Sequence, residues 1–550
     1  MHSTRRLLLA LMLSAATLAP AWAEPNAPEP APAGTQAQAD EMTKALSAYA
    51  GSAGAGTGLL SVIPDPAGYR LRLDFAGLLR KTLPEGTKFD LRPFEAVVSP
   101  REDGNWNVFS NSDPSATFAI DQEEMKQNGS YAAEGSRFKG VWSTALAAFL
   151  SSEGAIRRFR SETTDALGKS TSEFGPLTFA LTGTPVADGA VDLTVNQVVE
   201  AFSERREFGG EGNPLTGMTP FTVHGGKTDT VARIAAMRSK AITDLYAFLV
   251  ANPVLFSEQP DRAALGALQT DLKAKLKAAL PLWERLESSA KGETMSGEGG
   301  FGTFTVGPYS YDLATTGISK DGTLKASLRA TGIDVVSPMV PVWAKSLIPQ
   351  EMDLNFGFEK LDLRTPADIM IDGFDLTRDD TPYDELGRQA GEALEAAAPT
   401  VVIAPSRLKS ADLGLSFSGG LVMTSGKPSA SISMEATGFD ATIEKLKTAA
   451  ATSPDANQAV GVMSIAKGFG QALPDGRTQW VVNVATDGSV KVNGVEVKGP
   501  DPVVAPGEDP EGHGPDEDIV PDEGIAPDGD VPTDQAPTDD NALPEEAPQP

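Results

Sequence analysis

The 550-residue chain has no cysteine, which excludes disulfides, thiolate metal sites, iron–sulfur clusters and a cysteine nucleophile. With His2 in a leader and His513 in the tail, only His224 is left in the body, so a histidine-dependent triad, a multi-histidine zinc site and an HExxH motif are out of reach. The formal net charge of −29 argues against nucleic acid as a partner, because phosphate binding needs a basic surface.

Residues 1–23 read as a secretory signal peptide. Arg5-Arg6 supply the positive start, Leu7 to Leu13 the apolar stretch, and Ala21-Trp22-Ala23 a small-x-small cleavage site. Ser14, Thr17 and Pro20 interrupt the run before it reaches the roughly 20 residues of a membrane span. The expectation is a periplasmic protein, cleaved after Ala23, with no transmembrane segment in the mature chain. Residues 24–40 are Pro/Ala-rich and read as a flexible linker, and a short helix is expected over Asp40 to Leu46.

An N-terminal β-rich region is expected over 41–227. Tyr69, Leu71, Leu73 and Phe75 alternate with Arg70, Arg72 and Asp74, the period of a half-buried strand. Thr117 to Ile120 and Leu177 to Thr182 follow, the latter pairing through Asp188-Gly189 with Ala190 to Val195. Asp103-Gly104, Asp321-Gly322 and Asp487-Gly488 mark further hairpin turns. Over 228–292 the spacing changes: Val231, Ile234, Ile242, Leu245, Tyr246 and Leu249, then Leu265 to Leu286, recur at helical intervals and predict a hairpin of two amphipathic helices. A C-terminal β-rich region fills 293–499, where Ala326 to Asp334 is echoed by Ala430 to Asp440. Each copy leads into a helical stretch, a Leu/Ile-Pro pair and a strand, and Tyr69 to Leu91, with Ala76 to Leu83 as its helix, repeats the scheme in shorter form. Residues 500–550 form an acidic, Pro-rich tail expected to be disordered. Its last 50 residues hold 16 Asp or Glu and no Lys or Arg, which leaves −13 on the rest.

Chemistry-bearing motifs are few. Ser406-Arg407-Leu408-Lys409 has the Ser-x-x-Lys spacing of penicillin-recognising enzymes, but their Ser-Asp-Asn and Lys-Thr-Gly companions are missing and Ser425-Gly426-Lys427 runs in the wrong order. Neither a Gly-x-Ser-x-Gly elbow nor a phosphate-binding P-loop occurs. Asp528-Gly529-Asp530 lacks the bidentate Glu of a calcium loop. Glu123-Glu124 and Asp379-Asp380 read as solvated loops, His224 as a strand-end residue, and Trp106, Trp142, Trp283, Trp343 and Trp480 as core aromatics. No catalytic, cofactor-binding or metal-ligating residue is assigned, and no cofactor is implied.

Phe469 to Gly476, Trp480 to Val484 and Asp487 to Gly494 together resemble the ending of a secreted alphaproteobacterial family catalogued as domain of unknown function 2125. The resemblance implies an exported protein and no activity. The fold class expected is α+β: extended, mostly antiparallel β-sheets with helices covering one face, a central helical hairpin and a disordered acidic C-terminal tail. The function expected is non-catalytic binding in the cell envelope, with a lipid or other apolar ligand as its occupant. The alternatives are a structural or interaction protein of the envelope and a carboxylate-dependent hydrolase. A lipid groove requires a continuous apolar sheet face without helical cover; a hydrolase requires facing carboxylates, one with a raised pKa.

Overall fold

Residues 27–501 are described in a computed structural model, apart from 48, 50, 52–57, 78, 80–86, 123–124, 210–215, 257–261, 379–381 and 425–427. The expected signal peptide, nearly all of the acidic tail, Pro84-Glu85-Gly86, Glu123-Glu124, Asp379-Asp380 and Ser425-Gly426-Lys427 lie outside the described residues.

Among the described residues thirty strands form two wholly antiparallel sheets, one of twenty strands and one of ten. The chain is thus a β-rich α+β protein. It lays down strands two at a time and alternates between the sheets. Phe94–Pro100 and Trp106–Ser110 enter the larger sheet, Ser115–Gln122 and Met125–Glu134 the smaller, and Arg137–Ser143 and Ala148–Ile156 the larger again. This rhythm continues as far as Asp334–Val336, after which only the larger sheet grows. Each new pair hydrogen-bonds to the previous pair of its own sheet: Ala148–Ile156 to Leu177–Pro185, and Arg158–Asp165 to Met125–Glu134.

Short joints carry the chain from one sheet to the other. Arg92-Pro93, Gly135-Ser136, Gly175-Pro176, Glu200-Ala201, Gly226-Lys227 and Gly307-Pro308 each separate a strand of one sheet from a strand of the other. Backbone hydrogen bonds run between neighbouring joints: the Gly175 N–H donates to Ala201 O at 3.0 Å, and the Glu293 N–H to Lys227 O at 2.9 Å. These bonds tie each joint to the next.

Among the described residues seven helices accompany the sheets: α1 (Gln36–Ser47), α2 (Ser239–Ala251), α3 (Arg262–Ala279), α4 (Arg364–Gly373), α5 (Tyr383–Ala396), α6 (Phe439–Ala450) and α7 (Pro454–Phe469). Helix α1 begins inside the expected linker, because Ala39 is fully buried against Val62, Tyr69 and Val98. Helices α2 and α3 occupy only the middle of 228–292. Val231 and Ile234 lie on strand Thr228–Met237 and Leu286 on Arg285–Gly292, so the helical reading of those three residues is corrected. Both strands sit between neighbours in the larger sheet, and ladder pairing overrides a chance three-residue apolar spacing. The stretch after Ala326 to Asp334 holds only the 3-10 turns Val342–Leu347, whereas its echo leads into α6 and α7.

Asp103-Gly104, Asp321-Gly322 and Asp487-Gly488 all fall between paired strands, and Leu177–Pro185 pairs with Val191–Val199.

Candidate apolar binding face

Pairing register assigns every strand residue to a face, because successive side chains point to opposite sides. In the larger sheet one face is predominantly apolar, with Gln197, Thr230 and Ser288 as polar interruptions near its middle. It carries Val62, Leu71 and Val98, then Val108, Trp142 and Phe138, then Leu177, Phe179, Val195 and Leu193. Beyond them come Ile234, Leu286, Leu313, Tyr311, Leu324, Leu328, Leu354, Phe356, Phe358, Val401, Ile403 and Leu421, and finally Ile432, Met434, Trp480 and Val482.

Helices close this face at both ends. At the N-terminal end α1 lays Ala39, Met42 and Leu46 on Val62, Leu71, Trp106 and Val108. Thr43 Oγ1 accepts from the Val62 N–H at 3.1 Å, and the Tyr69 hydroxyl donates to Gln38 Oε1. At the C-terminal end α6 and α7 cover Leu415, Met434, Ala436, Trp480 and Val492 with Phe439, Ile443, Met463 and Ala466. The Trp480 indole N–H donates to Ala466 O at 2.7 Å, so the ring buries without an unpaired donor.

Between the two caps Leu177, Phe179 and Val195 are still buried, but further along the same face the cover is missing. Tyr311 is 42% exposed, Leu328 38%, Phe356 45% and Phe358 42%. These four are neighbours: Tyr311 stands opposite Leu328, Ala326 opposite Phe356, and Leu324 opposite Phe358. Leu313, Leu324, Leu354, Val401 and Ile403 around them are half-buried. Large apolar groups clustered in this way mark a binding surface more often than scattered ones do.

The opposite face of the same strands is polar and satisfied. Arg329 pairs with Asp312 and with Asp353, each at 3.2 Å, and Lys325 with Glu359 at 3.3 Å. Hydrogen bonding from Ser289, with Ser327 and the Arg329 charge, holds the Asp312 carboxyl below its ordinary range. A cleft of about 430 Å³ lies on this side, lined by Arg233, Glu287, Lys325 and Glu359 among others. A second cleft, of about 700 Å³, follows the joints beside Arg157, Arg158, Glu173 and Phe202. Arg158 pairs with Glu173, and Arg157 with Glu134 at 3.5 Å, so these clefts present compensated surface charge rather than reactive groups.

The motifs singled out in the sequence do not converge. Ser406 is almost fully buried in strand Thr400–Lys409, where its Oγ accepts from the Asn355 N–H at 2.9 Å and donates to Ala404 O at 2.9 Å. It satisfies backbone at a register shift between paired strands. Lys409 is engaged by Glu351 at 2.8 Å, and three strand positions separate it from Ser406. His224 is exposed on Phe221–Gly225. Trp106 stands opposite Trp142 on the apolar face, with the Tyr69 ring 6.4 Å from Trp106. Among the described residues no three His, Asp or Glu side chains are grouped so as to hold a metal ion. Every Asp or Glu with a resolved shift is lowered, the reverse of what a general acid needs.

Sequence reasoning passed over Tyr311, Phe356 and Phe358, and took Leu328 only as part of the repeated unit Ala326 to Asp334. Their signal was present as the alternation of 309–316 and 352–358, but which strands sit side by side becomes visible only with the pairing. No described helix is long and apolar enough to cross a membrane. No family model, no curated protein and no solved structure matches the chain.

Proposed function

We propose that this is an exported, non-catalytic binding protein of the cell envelope whose uncovered apolar sheet face holds a long-chain lipid. The observation that carries the reading is the contrast along one face: helix-covered at both ends, with Tyr311, Leu328, Phe356 and Phe358 exposed between the covers. A sheet evolved only for stability would be covered throughout, since burying each such side chain is worth about 1.5–3 kcal/mol. The smaller sheet extends the surface. At five of the joints its last apolar residue and that of the larger sheet lie three positions apart: Leu91 and Phe94, Ile156 and Phe159, Phe174 and Leu177, Val199 and Phe202, Val306 and Tyr309. In an unbroken strand such residues would face opposite ways; on this reading the joints act as a β-bulge does and turn both rows to one side. The two sheets then form the walls of a single apolar trough. Residues 1–23 place it in the periplasm on this reading.

The test is native mass spectrometry of the full chain purified from a periplasm without detergent. Wild-type protein carries additional mass that organic extraction removes and identifies as lipid, and Phe356→Asp and Leu328→Asp lose it while keeping the wild-type circular dichroism spectrum. Bare wild-type protein at its calculated mass would remove the basis for a tightly held lipid.

A further inference from the structure

The apolar row of the smaller sheet is interrupted by one polar island, and the geometry points to it as the site for the ligand's head. On strands Arg158–Asp165, Gly168–Phe174 and Phe202–Phe208 the residues next to the joints are Phe159, Phe174 and Phe202, opposite one another in register. One step further from the joints the same face carries Ser161, Ser172 and Glu204, and a step beyond that Thr163, Ser170 and Arg206. The strands on either side return to apolar or small groups, Tyr131 and Gly129 on one flank and Val223 and Phe221 on the other. The reverse face of the same three strands needs no such island to be polar. It already carries the Arg158–Glu173 and Lys169–Glu162 ion pairs.

The island's groups are available. The hydroxyls of Ser161, Thr163, Ser170 and Ser172 have no hydrogen-bond partner on the protein among the described residues, and Glu204 has no ion pair there. Arg206 is taken up by Asp165 at 2.7 Å, which leaves Glu204 as the uncompensated charge. Such a surface offers several donors and acceptors with a net negative charge of one. It repels a phosphate or carboxylate and suits an uncharged head bearing several hydroxyls, with Glu204 and the serine and threonine oxygens as acceptors. Across the strands, the offset to the open patch is within the reach of a long chain. Strand Phe202–Phe208 continues from Val191–Val199, which lies three strand steps from Tyr309–Thr316, about 15 Å at the usual strand spacing. We therefore propose that the lipid of the preceding reading, on which this one rests, is an acyl or alkyl chain with an uncharged polyhydroxyl head, and that Glu204 selects it.

The test compares probes of equal chain length on the purified full chain, by displacement of the uncharged fluorophore N-phenyl-1-naphthylamine: 1-palmitoylglycerol, hexadecyl glucoside and palmitoyl lysophosphatidylglycerol. Wild-type protein binds an uncharged probe about tenfold tighter than the anionic one, the size expected when one hydrogen bond to a charged group is at stake. The better of the two uncharged probes separates a glycerol head from a sugar. Glu204→Gln removes the preference and Glu204→Lys inverts it; the side chain is exposed, so both variants fold. Equal binding of charged and uncharged probes by wild-type protein, or an unchanged preference in Glu204→Lys, overturns the head assignment alone. Binding of none of the three overturns the lipid reading and this inference with it.

Discussion

A methyl group on Gly292 would stand 2.0 Å from the Tyr309 ring, and one on Gly225 1.8 Å from the Phe202 ring. Both glycines face their aromatic partner across a strand pair on the apolar side, and Gly154 with Phe179 and Gly297 with Phe304 repeat the arrangement. The ring lies flat over a position that has no side chain to displace it. Gly292→Ala is therefore expected to lose about 1–3 kcal/mol, as overpacked sites do. Gly461 in α7 meets nothing within 4 Å, so Gly461→Ala is expected to gain about 0.5–1 kcal/mol. Urea midpoints of the two variants, moving in opposite directions, check the pair. Acid acts at the same scale. The Lys445 ammonium, with Ser346, lowers the Asp412 carboxyl, as Ser289 lowers that of Asp312. A carboxyl whose folded pKa lies below its unfolded value of about 4 adds stability above that pH and loses it as the pH falls through the folded value. Stability is thus expected to stay level from neutral pH to about 5 and to drop below about 4. Asp412→Asn flattens that acid limb in urea titrations at pH 7 and about 3.5, and an unchanged limb would remove Asp412 from the account.

Among the elements, the C-terminal cap hangs on Trp480. Its ring packs edge-on against Phe439, 5.0 Å between centroids, and its N–H fixes the last turns of α7. Trp480→Ala is expected to cost about 3–5 kcal/mol and to free α6 and α7 together. Limited proteolysis then cuts within 439–469 while the fragment upstream of 437 survives; uniform digestion of the whole chain would argue against a local cap. Much at this scale was legible. Tyr69-Arg70-Leu71-Arg72 announced its strand by strict alternation, and Asp103-Gly104, Asp188-Gly189 and Asp487-Gly488 announced turns, because both signals are local. The errors arose where two periods coincide. Val231 and Ile234 match a helix by spacing, yet Thr228, Thr230, Ala232 and Ile234 make up one face of a strand whose other face holds Val231 and Arg233. The start of α1 was missed because Gln and Ala suit a linker as well as a helix, and only the burial of Ala39 decides between them.

Over the whole molecule the ladder is quasi-one-dimensional: each strand hydrogen-bonds only to its neighbours, so stability accumulates step by step as in a repeat protein. Single-tryptophan variants retaining only Trp142 or only Trp480 are expected to report different urea midpoints, since the two sit far apart in strand order; coincident curves would show a single cooperative unit. This organisation could not be read from the sequence. Most joints are only two residues long, and although Gly175-Pro176 and Gly307-Pro308 carry turn-forming residues, Glu200-Ala201 carries none. Which sheet a strand joins depends on partners far along the chain. The apolar side chains of the open face were visible one by one, while their meeting on one surface was not. The joints also bear on how such a chain changes length. A four-strand insert, two for each sheet and bounded by two joints, would enter between existing pairs without altering any residue's face, so the reach of the structure can be tuned by duplication, one module at a time.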